Sequence, residues 1–212
     1  MPPDAPDVRV VIGLLGNDDP ACVEVVAEHL GVEPEAVAEA LEALAAEGLA
    51  ERTPGGGYRA TRLDAGELRE LYPAALMLEC LAVREAPPYD AATLGVMREA
   101  NARLRAAPDP IAAMAADDDF HVALLRHCDN ERLLDVLRPL RRSLLRYERA
   151  YMIEPERIER SAAQHDAIID ALERGDRADA AQGVRENFMH ALPDLEAQLS
   201  EQAPSSGDSS RT

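Results

Sequence analysis

Asp117 and His121 stand four residues apart in DDDFHVALL, a segment with helical periodicity. Residues at this spacing project from the same face of a helix. One carboxylate and one imidazole on one face can reach the same metal ion, since both are ordinary ligands of divalent cations. His127 follows His121 by six residues and lies off that face, so we do not expect it to be a ligand. The pair can therefore form part of a metal site carried by a helix.

The segments that precede this helix favour a small N-terminal domain in a mainly α-helical chain. Apolar residues from Val23 onwards line one helix face that ends at Gly31. A second helix is predicted from Pro34 to Gly48, and the sequence LAERTPGGGYRAT then predicts two short strands around a turn. Helix, turn, helix and hairpin in this order are typical of a winged helix-turn-helix domain, which we place at residues 1–62.

The next part of the chain is predicted to form an antiparallel all-helical bundle over residues 63–200. Its helices are expected at 64–86, 90–106, 109–127, 130–152, 155–173 and 176–200. Loops this short place successive helices side by side in opposite directions. Residues 201–212 are rich in Ser and Gly and predict a disordered tail.

The composition excludes several classes of protein. The chain has 212 residues, 47% of them hydrophobic, which is enough to bury a core. The 22 basic residues, all arginine, stand against 40 acidic residues and give a formal charge of −18, which disfavours a generally basic nucleic-acid binder. No apolar run approaches the ~18 residues of a membrane span, so no membrane partner is expected. Three cysteines without CxxC spacing are typical of a reduced, cytoplasmic protein.

Three stretches of the chain carry a resemblance to one protein family. They read VAEHLGVEPEAVAEALEALAAEGLAERTPGGGY, DDDFHVALLRHCDNERLLDVLRPL and QHDAIIDALERGDRADAA. Together they resemble the GntR superfamily of bacterial transcription regulators, in its FadR-type branch with an FCD effector domain, over roughly residues 10–200. The resemblance implies a cytoplasmic homodimer in which a small organic acid, bound in the bundle, shifts the pose of two winged domains on DNA.

The resemblance also implies a ligand set for the metal. In the family the DxxxH pair supplies two ligands, here Asp117 and His121, and the QHDAIIDAL helix supplies a third, here His165. The fourth family ligand is a histidine at a position that Asn187 occupies, and His190 follows nearly one turn later. Two imidazoles and one carboxylate form a half-open shell that suits one divalent ion such as Zn, Mn, Ni or Fe, with water or a bound acid in the remaining places.

Arginines in the segment 130–152 are the candidates for holding the acid beside the metal. Guanidinium groups bind carboxylates bidentately, and Arg142 and Arg146 are predicted to face the bundle core for this purpose. Many family members carry an arginine four residues before the glutamate of the first FCD helix. Here that position is Ala75, before Glu79, so the effector pocket is expected to differ from the usual one.

The recognition segment departs from the family where it matters for DNA. It reads VEPEAVAEAL, and the usual arginine positions are Pro34, Ala38 and Glu24. Residues 1–60 hold 12 acidic residues and three arginines, a net charge of 3 − 12 = −9, so the approach to phosphates would be repulsive.

Basic residues near the predicted wing are the remaining candidates for DNA contact. Arg52, Arg59 and Arg62 could contact the phosphate backbone but would read little sequence. DNA is therefore expected to be a weak partner at most.

Two functions of different classes remain open at this point. One is the metabolite-responsive regulator, with DNA binding in doubt. The other is a metal-dependent biosynthetic enzyme that has lost DNA binding, since Asp117, His121 and His165 also match the two-histidine, one-carboxylate set of non-haem iron oxygenases. A binding protein that keeps only the fold is a third reading, and no catalytic residue is assigned.

Overall fold

The computed structural model describes residues 5–16 and 20–202, which form nine helices and one two-stranded hairpin. The fold is therefore mainly α-helical, as the sequence predicts. Of the predicted tail, only residues 201 and 202 lie in the described part, and they continue the last helix. The rest of the tail lies outside the described residues.

The N-terminal block has the predicted order of helices and strands. Its elements are α1 (Val8–Leu14), α2 (Val23–Leu30), α3 (Pro34–Ala46), β1 (Ala50–Arg52) and β2 (Tyr58–Ala60). Gly31 ends α2 with φ 65°, a left-handed conformation that glycine adopts without strain. The strands pair antiparallel, with Ala50 opposite Ala60. Helix α1 is an addition that the sequence analysis did not predict.

The bundle contains the six predicted helices, each within two residues of its expected bounds. They are α4 (Ala65–Glu85), α5 (Ala91–Arg105), α6 (Pro110–Leu125), α7 (Glu131–Tyr151), α8 (Pro155–Glu173) and α9 (Arg177–Gln202). Aspartate or asparagine side chains accept hydrogen bonds from first-turn amides of α4, α5, α6 and α7, which fixes where these helices begin.

Helix α6 runs through the centre of the bundle and contacts α4, α5 and α7. Most of its residues are buried, including Asp117, Asp118 and His121 among apolar neighbours such as Phe120 and Leu124. Helix α5 packs on both α6 and α8, and α4 packs on α7 and α9. Polar groups of α6 are thereby enclosed by the other helices rather than by water.

The N-terminal block contacts the bundle mainly through α1, which packs on α6 and α7. Met114 of α6 and Leu145 of α7 belong to the same apolar cluster as Val11 and Ile12 of α1. The Arg146 side chain, 3% exposed, donates to the carbonyl of Thr61 at 3.0 Å and fastens the connection between β2 and α4 to α7. The division into domains at residue 62 falls in this connection and remains a prediction.

No helix of the described residues is long and apolar enough to cross a membrane.

Candidate metal centre

Asp117, His121 and His165 meet in the interior of the bundle. Helix α6 carries the first two and α8 carries the third, and the side chains are 0–6% exposed. The Nε2 atom of His165 lies 3.5 Å from Oδ1 of Asp117, and the Nε2 atom of His121 lies 3.8 Å from Oδ2. One ligand atom from each residue lies within 4.8 Å of the other two, so all three can reach one ion after small adjustments.

Asn101 of α5 fixes the orientation of His165. The Asn101 amide nitrogen donates to the carbonyl of Ala162 at 2.9 Å and to Asp166 at 2.7 Å, so its oxygen faces Nδ1 of His165 at 3.2 Å and must accept from it. With the proton on Nδ1, the lone pair of His165 is on Nε2. That Nε2 atom is buried and has no hydrogen-bond partner among the described residues, as expected of an atom that awaits a ligand.

Burial also keeps His165 in the form that binds metals. It lowers the pKa of His165 well below its usual value, and the nearby charges of His121 and Arg141 lower it further. The imidazole is therefore neutral at neutral pH, and it stacks on Phe120 with ring centroids 3.7 Å apart. A neutral, rigidly held imidazole is a suitable metal ligand.

Glu79 of α4 fixes the orientation of His121. Its Oε2 atom accepts from Nδ1 of His121 at 2.9 Å, and its Oε1 atom accepts from Arg141 at 2.6 Å. Burial opposes ionisation of Glu79, but His121 and Arg141 outweigh it and lower the pKa of this carboxyl to about 2. Glu79 is thus a carboxylate that directs Nε2 of His121 towards Asp117, an arrangement common around metal-binding histidines.

The buried carboxylates outnumber the cations beside them. Arg141 reaches Glu79, Asp118 at 3.0 Å and Glu148 at 3.5 Å, so one buried guanidinium serves three carboxylates, and Asp117 is a fourth. Burial raises the pKa of Glu148 to about 8 against the effect of Arg141, and Asp117 and Asp118 add to the rise. Burial likewise raises the pKa of Asp117. A divalent cation would relieve this crowding of negative charge.

A cavity of about 20 Å³ adjoins the cluster, and Asp117, His121, Glu148 and Asn187 are among its lining residues. This volume accommodates about one water molecule. Of the two predicted fourth ligands, Asn187 therefore faces the cluster, and its amide nitrogen is engaged by Gln164 at 3.1 Å. His190 is exposed and contacts the same Gln164 at 2.6 Å, away from the cavity.

The structure places Arg142 and Arg146 on partners outside the metal cluster, and their role in binding an acid stays a prediction. Arg142 is exposed and pairs with Glu47 at 2.6 Å, and Arg146 pairs with Glu67 at 2.9 Å. The arginine that enters the cluster is Arg141. Successive residues of a helix point about 100° apart, so Arg142 is exposed although Arg141 beside it is buried. Glu79, Asn101 and Arg141 are thus site residues that the sequence analysis did not assign.

The surface predicted to face DNA is acidic in the structure too. Helix α3 and the residue before it expose four glutamates, namely Glu33, Glu35, Glu39 and Glu42. Arg52 and the Tyr58 hydroxyl both contact Glu42, and Arg59 pairs with Glu51 at 3.1 Å. Arg62 is exposed. Neighbouring carboxylates therefore already neutralise Arg52 and Arg59.

Comparison with known proteins agrees with this architecture. The model of the FCD domain family matches residues 70–189. The structure of E. coli McbR/YncC is similar over 91% of this chain and 93% of that one, with a TM-score of 0.70 and 19% identity. A GntR transcriptional regulator from Rhodococcus sp. RHA1 covers 92% and 93% of the two chains, with a TM-score of 0.68 and 22% identity. The structure of a GntR family member from Pseudomonas syringae pv. tomato is similar over 93% of this chain and 91% of that one, with a TM-score of 0.56 and 19% identity. No protein of curated function matches the sequence.

A helical bundle with an interior cluster of carboxylates and imidazoles, preceded by a winged helix-turn-helix block, defines the class of protein. The chain belongs to the FCD domain family. Its fold, with the winged block first, is similar to that of the solved structures compared above.

Proposed function

We propose that this chain is a GntR-type transcription regulator whose FCD bundle binds one divalent ion, Zn, Mn, Ni or Fe, through Asp117, His121 and His165. One observation carries the proposal: the Nε2 atom of His165 is buried without a hydrogen-bond partner among the described residues and faces Asp117. A purely structural histidine in an apolar core would be expected to use both ring nitrogens. The ion would supply positive charge to a site with surplus carboxylates.

The contacts of α6 suggest how the ion would act on the winged block. Asp117 is followed directly by Asp118 and Asp119, and both of these pair with Arg9 of α1. The Arg9 guanidinium also donates to the carbonyl of Ala115 at 3.2 Å. A shift or rotation of α6 on metal binding would therefore move the anchor of α1. In a cytoplasmic homodimer, this movement would change the relative position of two winged blocks.

DNA binding that responds to metal is the test of this function. A mobility-shift titration at low salt would use the full-length protein and the DNA upstream of its own gene, once with the divalent ion and once with a chelator. We expect binding that changes with the ion in the wild-type protein and does not change in the Asp117→Ala, His121→Ala double variant. Absence of DNA binding at low salt in both conditions would rule out the regulator.

A metal-dependent enzyme is the second candidate, and the acidic surface of α3 favours it. The cavity beside the cluster gives this candidate little support, because its volume of about 20 Å³ corresponds to about one water molecule. The same limit applies to a small carboxylate bound on the ion. A metal-loaded protein that fails to bind DNA at low salt would favour the enzyme.

A further inference from the structure

A pocket of about 400 Å³ opens between α1, α6 and α7, apart from the cavity of the metal centre. Six of its lining residues are apolar, among them Val8 of α1, Val122 of α6 and Leu134 and Leu137 of α7. The volume is in the range of pockets that bind small molecules, which is roughly 300–1,000 Å³. This pocket therefore offers the space that the metal cavity does not.

The charge of the pocket is opposite to that of the chain. Five of its lining residues are arginines, namely Arg9, Arg126, Arg138, Arg141 and Arg142, and one is acidic, Asp118. Arg126 is exposed at the C-terminal end of α6 and has no ion pair among the described residues. Within the described part of the chain, Arg138 pairs only with exposed acids of its own helix, and such pairs contribute little to stability. These two guanidinium groups can accept an anionic partner.

We propose that this pocket binds an amphipathic carboxylic acid, with an aliphatic or aromatic body on the apolar wall and its carboxylate at Arg126 and Arg138. Arginine binds carboxylates with two parallel hydrogen bonds, and an apolar wall beside it selects acids that carry a hydrophobic body. A second groove, lined by Glu47, Pro139 and Ser143, shares Arg138 and Arg142 with the pocket. It leaves room for larger polar groups.

The position of the pocket makes it an effector site. Val8 and Arg9 of α1 form part of its wall, while the rest of the wall comes from the bundle. Arg142, also in the wall, pairs with Glu47 at the end of α3. An acid in the pocket would contact both parts of the chain. This goes beyond the proposed metal function, because it places the organic ligand between the two blocks instead of inside the bundle.

Calorimetric titration of the full-length protein tests the site with hexanoate, octanoate and decanoate as probes and 1-octanol as the uncharged match. We expect saturable binding of the acids and binding of octanol weaker by about ten-fold or more, as for the loss of one charge-assisted hydrogen-bonded pair. Arg126→Gln should weaken octanoate by about ten-fold, and Val122→Glu should weaken it at least as much.

Matched variants outside the pocket provide the controls. Arg132→Gln and Val136→Glu change residues of α7 that are exposed and do not line the pocket, and they should bind octanoate as the wild type does. Chelator-treated protein should also bind it unchanged. The proposal is overturned if no acid of the series saturates, if octanol binds as tightly, or if Val122→Glu has no effect. It is likewise overturned if chelation abolishes binding, since the acid would then belong to the metal centre. None of these results depends on whether DNA is bound.

Discussion

The Nδ1 atom of His121 lies 2.9 Å from Oε2 of Glu79, and both side chains are buried. Because the carboxylate accepts the Nδ1 proton, Nε2 is the ring nitrogen that an ion can reach, and it faces Asp117. Burial lowers the pKa of His121, but Glu79 outweighs this effect and raises that pKa above its usual value, so an ion at Nε2 displaces a proton. His165 has the same arrangement, with Asn101 in place of the carboxylate. The two imidazoles are thus oriented before any ion binds.

Glu79→Gln should weaken metal binding without removing any direct ligand. Glutamine keeps the size of the side chain but is a poorer acceptor for His121 and a poorer partner for Arg141. We expect the dissociation constant of the ion to rise by about 10–100-fold, the usual effect of changing a group that supports a metal ligand. Competition with a chromophoric chelator measures it. Glu70→Gln, at an exposed position of the same helix, is the control and should bind the ion as the wild type does. An unchanged affinity in Glu79→Gln would show that Glu79 does not support His121 as a ligand.

Asn187→His should strengthen metal binding, whereas His190→Ala should leave it unchanged. Asn187 lines the cavity at the cluster, and an imidazole there would add a better ligand for a borderline ion than an amide oxygen. His190 is exposed and engaged by Gln164. We expect at least about ten-fold tighter binding for the first variant. Weaker binding in His190→Ala would show that α9 shifts to bring this histidine inward.

Glu148→Gln should stabilise the metal-free protein at alkaline pH. Burial raises the pKa of Glu148 from 4.5 to about 8, so the unfolded chain loses this proton at lower pH than the folded one. The folded state therefore loses stability as the pH rises from 4.5 to about 8, by at most about 5 kcal/mol at ~1.4 kcal/mol per unit. Glutamine cannot ionise. In the presence of a chelator, Glu148→Gln should have the melting temperature of the wild-type protein near pH 4.5. At pH 8.5 its melting temperature should be several degrees above that of the wild type.

Two comparisons complete the Glu148 experiment. Glu99→Gln, exposed on α5, should follow the wild type at both pH values. Addition of the divalent ion should narrow the gap between Glu148→Gln and wild type at pH 8.5, because the ion compensates the same carboxylate. A Glu148→Gln protein that is less stable than wild type at pH 8.5 in chelator would show that this carboxylate is stabilising.

The helices could be predicted from local signals in the sequence. The ends of helices are marked by residues such as Pro87-Pro88, Pro108 and Gly31. Proline and glycine interrupt a helix through their own backbone chemistry, without any tertiary contact. Helix α1 was missed because it is a single short stretch that is stabilised by packing against α3, α6 and α7. Such a helix carries little periodicity of its own.

The site was predictable only where one helix carried two of its residues. Asp117 and His121 share a face of α6, and the family resemblance supplied His165. Glu79 and Asn101 come from other helices, and their only signal was a polar residue on an otherwise buried face. Arg141 was passed over for Arg142 and Arg146, because a helix with arginines at many positions does not reveal its rotation in the bundle.

Charge reversal on α3 should strengthen DNA binding beyond that of the wild-type protein. Glu35→Arg with Glu39→Arg replaces two exposed carboxylates on the helix expected to face DNA. We expect tighter binding at low salt and a steeper salt dependence, by about 0.9 in the log–log slope for each phosphate gained. The charge-matched control is Glu99→Arg with Glu186→Arg, on the bundle. Equal gains in both proteins would mean that net charge, and not α3, governs binding.

Metal content of the purified protein decides whether Asp117, His121 and His165 hold an ion. The wild-type protein would be loaded with a divalent ion, passed through a desalting column and analysed by inductively coupled plasma mass spectrometry. We expect about one ion per chain in wild type and in the control Asp135→Ala, His29→Ala. In the Asp117→Ala, His121→Ala variant with native circular dichroism we expect fewer than about 0.1 ions per chain. A full equivalent of metal in the latter variant would contradict the proposed ligand set.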